Sequence, residues 1–128
     1  MTHQNTQERM RMEIRVDIAR KMRDLVCELM GVSVEEVISK SRRRPIVETR
    51  KMAAYIMYKL SGATYSEIGE LLGHKNHCAP RHACITVSGY IDVDPKYREI
   101  IGPIMSACEG VSPKWEPLPD EDIFIFLD

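Results

Sequence analysis

A short amphipathic segment, Thr64 to Leu72, ends in a turn opened by Gly73, and a second segment then runs past Val87. This is the layout of a helix-turn-helix, whose second helix enters the DNA major groove led by its N-terminal residues. Upstream lies a basic run, Lys40-Ser41-Arg42-Arg43-Arg44, suited to a phosphate or groove contact at a second point. Together the two elements point to duplex DNA more strongly than either does alone.

Local stop and start signals divide the rest of the chain into helices. Residues 1–6 are polar and are expected to be disordered. From about Gln7 to Met30, Ile14, Ile18, Met22, Leu25 and Leu29 recur at helical spacing, and Gly31 stops the pattern. Ser33-Val-Glu-Glu36 is a capping box that opens a short helix to about Ser39. Pro45 suits the first position of a helix running to Leu60, with Ile46, Thr49, Ala53, Ile56 and Leu60 inward and Gly62 at its end. Thr64-Tyr-Ser-Glu67 is a second capping box, after which Ile68, Leu71 and Leu72 face inward.

Asn76 suits the N-cap of the next helix, and Pro80 is tolerable there because it falls in the first turn. With Pro80, Ala83, Cys84 and Val87 toward the core, His77, Cys78, Arg81, His82 and Ile85 point outward. Asp94-Pro95 caps a last helix to about Met105, with Tyr97, Ile100 and Ile104 inward. The expected organisation is therefore an all-α domain over 7–105 and a proline-containing, acidic and apolar tail over 106–128.

The net charge is only −1, which is poor for a DNA-binding protein until it is divided by region. Lys40 to Lys51 carries six basic residues against Glu48 alone, whereas Glu109 to Asp128 carries six acidic residues against one lysine. The local field, not the total, governs binding. No apolar run reaches membrane-spanning length and the N-terminus has no signal-peptide core, so a cytoplasmic protein is expected. Cys27, Cys78, Cys84 and Cys108 show no paired spacing and are expected as thiols. Met10, Met12, Met22, Met52 and Met57 read as core filler.

His74, His77, Cys78, His82 and Cys84 crowd together like a metal site. Cys78 and His82 share a helical face, but Cys84 points elsewhere and no Cys-x-x-Cys pair completes a tetrahedral set. A thiol enzyme is suggested only by the adjacency of Cys78 to His77, with no orienting carboxylate. No metal, cofactor or catalytic role is expected.

Gly31 to Ile104 resembles the C-terminal DNA-binding domain of the bacterial chromosomal replication initiator DnaA. The resemblance rests on Gly31-Val-Ser-Val-Glu-Glu-Val-Ile-Ser-Lys-Ser-Arg42, Arg50-Lys-Met-Ala-Ala54, Ser66-Glu-Ile-Gly69, His77 and His82-Ala-Cys84, without a gap from Lys40 to Cys84. It implies a helical bundle similar to the Trp repressor, reading a short duplex box. It also implies that Arg42 holds the minor-groove position. Where that family's recognition helix starts Asp-His-Thr-Thr-Val-Leu-His-Ala, this chain reads Asn76-His-Cys-Ala-Pro-Arg-His-Ala83. Cys78 and Ala79 thus replace the threonines that read thymine. No Gly-x-x-x-x-Gly-Lys-Ser/Thr loop is present, so no nucleotide is expected and the chain reads as a standalone duplex reader.

The expected DNA contacts are Lys40, Arg42, Arg43 and Arg44 on the loop, and Arg50 and Ser66 on the helices behind it. Lys75, Asn76, His77, Cys78, Arg81 and His82 join them from the turn and recognition helix. The competing reading is a protein-interaction module that kept the bundle and lost DNA recognition, favoured by Pro80 and the acidic tail. The tail, ending Asp120-Glu-Asp-Ile-Phe-Ile-Phe-Leu-Asp128, either folds back on the helices or docks a protein partner.

Overall fold

A computed structural model describes residues 2–111, with side chains from residue 6 onward; the expectations for the tail beyond Val111 lie outside the described residues. Six helices follow one another: α1 Thr2–Met30, α2 Val34–Ile38, α3 Arg44–Ser61, α4 Tyr65–Leu71, α5 Cys78–Val93 and α6 Pro95–Glu109. All regular structure among the described residues is helical, as expected.

The bundle is arranged around α3, which touches each of the other five helices. Its inner side is apolar over almost its whole length: Ile46, Met52, Ala53, Ala54, Ile56 and Met57 are buried. Thr49 is buried among them and satisfies its hydroxyl by donating to the Pro45 carbonyl at 2.8 Å. Gly62 ends the helix at φ 80°.

Both expected capping boxes form. The Ser33 hydroxyl accepts from the Glu36 amide while the Glu36 carboxylate accepts from the Ser33 amide, and Thr64 and Glu67 repeat the arrangement on α4. Two arginines of α1 then hold α4. Arg15 makes a bidentate pair with Glu67 at 2.7 and 2.9 Å, and Arg23 donates to the Leu71 carbonyl at 2.8 Å at the C-terminal end. A cation there also complements the helix dipole. The first helix of the helix-turn-helix is thus gripped in its first turn and at its last carbonyls.

Several expectations need correction. Helix α1 starts at Thr2 and not at Gln7, because no glycine or proline among residues 2–6 interrupts it. Its buried side is Ile18, Ala19, Met22, Val26 and Cys27, while Ile14 and Leu29 are exposed. Met22, Met52 and Met57 are core, but Met10 and Met12 lie on the exposed N-terminal part of α1. On α6 the inner residue is Ile101, 3% exposed, and not Ile100, 51% exposed. The helix also continues through Pro103 to Glu109, past the boundary expected at residue 105. Helix α5 runs on to Val93.

Candidate nucleic-acid interface

The basic loop between α2 and α3 is shaped by two serines. The Ser39 hydroxyl donates to the Glu36 carbonyl at 2.6 Å and accepts from the Ser41 amide at 3.2 Å; the Ser41 hydroxyl accepts from the Arg43 amide at 3.2 Å. The serines are engaged with the backbone, and the residues interleaved with them, Lys40, Arg42 and Arg43, are exposed. Arg43 is the N-cap of α3 and Arg44 its first residue, with Pro45 second, one place later than expected. Among the described residues the side chains of Lys40, Arg42, Arg43 and Arg44 form no ion pair.

Behind the loop stands Arg50. Its Nε donates to the Val37 carbonyl at 2.7 Å, and its Nη2 to the carbonyls of Ser39 at 3.0 Å and Ser41 at 3.2 Å. Burial lowers the pKa of this guanidinium from its ordinary value. Arginine stays protonated all the same. Expected as a DNA contact, it directs its Nε and Nη2 to the chain's own backbone.

The turn between α4 and α5 is close-packed at both glycines. Gly73 has φ 82°, and a Cβ built on it would overlap the carbonyl of Ile38 at the end of α2. The His74 amide donates to the Gly69 carbonyl at 2.7 Å. A Cβ on Gly69 would lie 3.0 Å from the Asn76 carbonyl oxygen, so the turn is folded tightly back on α4. The Asn76 side chain accepts from the Cys78 amide at 2.9 Å, although the N-cap position itself is His77, one residue later than expected. The His77 ring is exposed and makes no capping hydrogen bond.

Helix α5 divides its faces as expected. Pro80, Ala83, Cys84 and Val87 are buried; Cys78, Arg81, His82 and Ile85 are exposed. Cys84 is turned inward, its thiol 3.6 Å from the Ala54 carbonyl, and so faces away from Cys78. Among the described residues no three His, Cys, Asp or Glu side chains converge as a metal site would require.

Two surface depressions meet at His74. One is lined by Ser66, Glu70, Lys75, Asn76 and His77. The other runs between α3 and α5, with Val47, Arg50 and Lys51 on one wall and Ala79, His82 and Thr86 on the other. The structure therefore gathers Ser66, Lys75, Asn76, His77 and His82 around one turn, with the loop joined to it through Arg50. Arg81, on the same exposed face of α5, lies near Tyr65. His74 is shifted below its ordinary pKa, first by burial and then by the charge of Arg50, so its imidazole tends to the neutral form. From the sequence, His74 reads only as a metal-ligand candidate, Lys51 only as part of the basic stretch, and Thr86 is not singled out. Thr86 lies one turn beyond His82, and Lys51 one turn beyond Val47; that spacing was the available signal.

A family model for the bacterial dnaA protein helix-turn-helix matches residues 19–87. The chain belongs to this family. The match starts within α1 and ends within α5, so it contains the loop, the turn and the N-terminal part of α5 but not α6. The chromosomal replication initiator protein DnaA of Bacteroides thetaiotaomicron is 32% identical over 82 residues, covering 64% of this chain and 17% of that protein. DnaA of Thermodesulfovibrio yellowstonii is 33% identical over 85 residues, covering 66% of this chain and 19% of that protein. The chain thus spans about a fifth of the length of the DnaA relatives it matches. In a crystal structure of a DNA replication initiation factor, the same fold superposes with TM-score 0.70 over 79% of this chain and 31% of that one, at 22% identity.

Proposed function

We propose that this chain is a non-catalytic, sequence-specific double-stranded DNA-binding protein that recognises a DnaA-box-like site, in replication control or transcriptional regulation. One observation carries the reading. A loop with four cations that form no ion pair among the described residues is fixed beside the exposed start of a helix-turn-helix recognition helix. Helix α5 enters the major groove, where Asn76, His77 and Cys78 lead and His82 follows. The loop reaches the neighbouring minor groove with Arg42, while Lys40, Arg43 and Arg44 hold phosphates. Binding needs no nucleotide, metal or cofactor. The work is cytoplasmic; among the described residues no helix is long and apolar enough to cross a membrane.

The test begins with selection of a preferred duplex from a random library, followed by affinity measurements on that duplex and a scrambled one. Arg42→Ala and His77→Ala are expected to cost about 1–3 kcal/mol each on the selected duplex and much less on the scrambled one. Arg43→Ala should weaken both alike. Equal losses on both duplexes for all three variants would reduce these residues to phosphate contacts. Failure to enrich any duplex would leave the interaction-module reading in place.

A further inference from the structure

Arg50 has the residue type of a DNA contact and the geometry of a strut. The carbonyls it holds belong to the last turn of α2, which has no intrahelical donors left for them, and to the loop that follows. One planar guanidinium reaches Val37, Ser39 and Ser41 together because its donors form a rigid fork. The serine hydroxyls tie the loop to itself and to α2. Arg50 ties it to α3, against which α5 is also packed. A second tie is the seating of Gly73 on the Ile38 carbonyl, which sets the helix-turn-helix turn against the same end of α2.

We infer that Arg50 is a positioning residue and not a phosphate ligand: its fork fixes the basic loop relative to the start of α5, and so sets which duplex both can engage at once. The inference rests on the duplex-binding reading for its consequence, though not for its structural content. The two roles have different physical signatures. A phosphate ligand acts through charge, so Arg50→Lys would retain binding, and Arg50→Gln would lower the salt slope by about one on any sequence. A fork on carbonyls acts through geometry, which the single ammonium of lysine cannot reproduce.

The experiment uses the full chain, wild type and Arg50→Lys. Without DNA, the amides of residues 39–43 are expected to exchange with solvent about tenfold faster in Arg50→Lys, while the amides of α3 stay protected. On a duplex selected by the wild-type chain, Arg50→Lys should lose about tenfold in affinity, with its affinity for a scrambled duplex and its salt slope unchanged. In the wild-type chain alone, the Arg50 Nε–H signal should already be protected from exchange before DNA is added. This reading needs no variant to fold. Unchanged loop exchange in Arg50→Lys, full discrimination by that variant, or an Arg50 Nε–H as labile as that of Arg42 would each overturn the inference. Absence of any duplex binding would count against the proposed function instead, since the exchange measurements contain no DNA.

Discussion

Gly73 and the carbonyl of Ile38 leave no room between them for a methyl group. This contact seats the helix-turn-helix on α2, and a substitution there meets two penalties. The left-handed φ of 82° costs an L-residue about 1–2 kcal/mol. The Cβ must also displace a backbone carbonyl, which cannot rotate away as a side chain can. Gly62 has nearly the same φ, 80°, with nothing within 4 Å of its Cβ position, and so isolates the first penalty. Gly73→Ala is expected to destabilise by about 2–4 kcal/mol and Gly62→Ala by about 1 kcal/mol in urea unfolding. Equal losses would mean that the Ile38 contact contributes nothing.

The Arg15–Glu67 pair makes stability depend on acid. The Arg15 hydrogen bonds are the largest cause lowering the Glu67 pKa from its ordinary 4.5, followed by an opposing effect of burial and a smaller lowering from Thr64. A carboxyl depressed in the folded state stabilises above its unfolded pKa, and that stability disappears as pH falls through the folded value. Arg15 is 33% exposed, so solvent screens the pair and about 0.5–1 kcal/mol is a reasonable size. Glu67→Gln keeps an acceptor for the Thr64 amide while removing the charge. The gap between wild type and Glu67→Gln should be present at pH 7 and nearly closed at pH 3. A gap independent of pH would contradict this assignment.

Much of the fold is written in local chemistry, and the errors have a common origin. Ser33 with Glu36, Thr64 with Glu67, and Asp94 before Pro95 start helices through bonds made within four residues, so the sequence contains both partners. Periodicity identifies a helix less ambiguously than it identifies a face. On α6, Tyr97-Ile100-Ile104 and Tyr97-Ile101-Ile104 are both helical stripes, and only packing against the bundle chooses Ile101. Met10 and Ile14 continue the stripe of Ile18 on α1, but both are exposed. The site was legible in the same uneven way. The outward face of α5 follows from its buried face, whereas the direction of the Arg50 side chain depends on where the α2 carbonyls end. Nothing in the spacing of the residues states that.

Cys78 offers a direct footprint of the interface. It is exposed, whereas Cys27, Cys84 and Cys108 are buried and burial pushes each thiol up to about 11. Thiolate is the reactive form, so the buried three should react slowly near neutral pH. A maleimide added to the native chain is expected to modify Cys78 first, with the others following only on unfolding. Saturating duplex should slow the Cys78 reaction markedly. Labelling of Cys78 that is indifferent to bound duplex would remove the start of α5 from the contact surface.

The salt dependence of duplex binding tests the central claim most directly. Lys40, Arg42, Arg43, Arg44 and the cations flanking α5 are expected to neutralise about four to six phosphates, which gives a log–log slope of about −4 to −5. Affinity for the selected duplex should then fall roughly 10²–10³-fold between 50 and 200 mM salt, in the absence of ATP. The account predicts that slope on folded, full-length chain, measured by fluorescence anisotropy. Folded protein that binds no duplex at low salt, or binds with no dependence on salt, would contradict it.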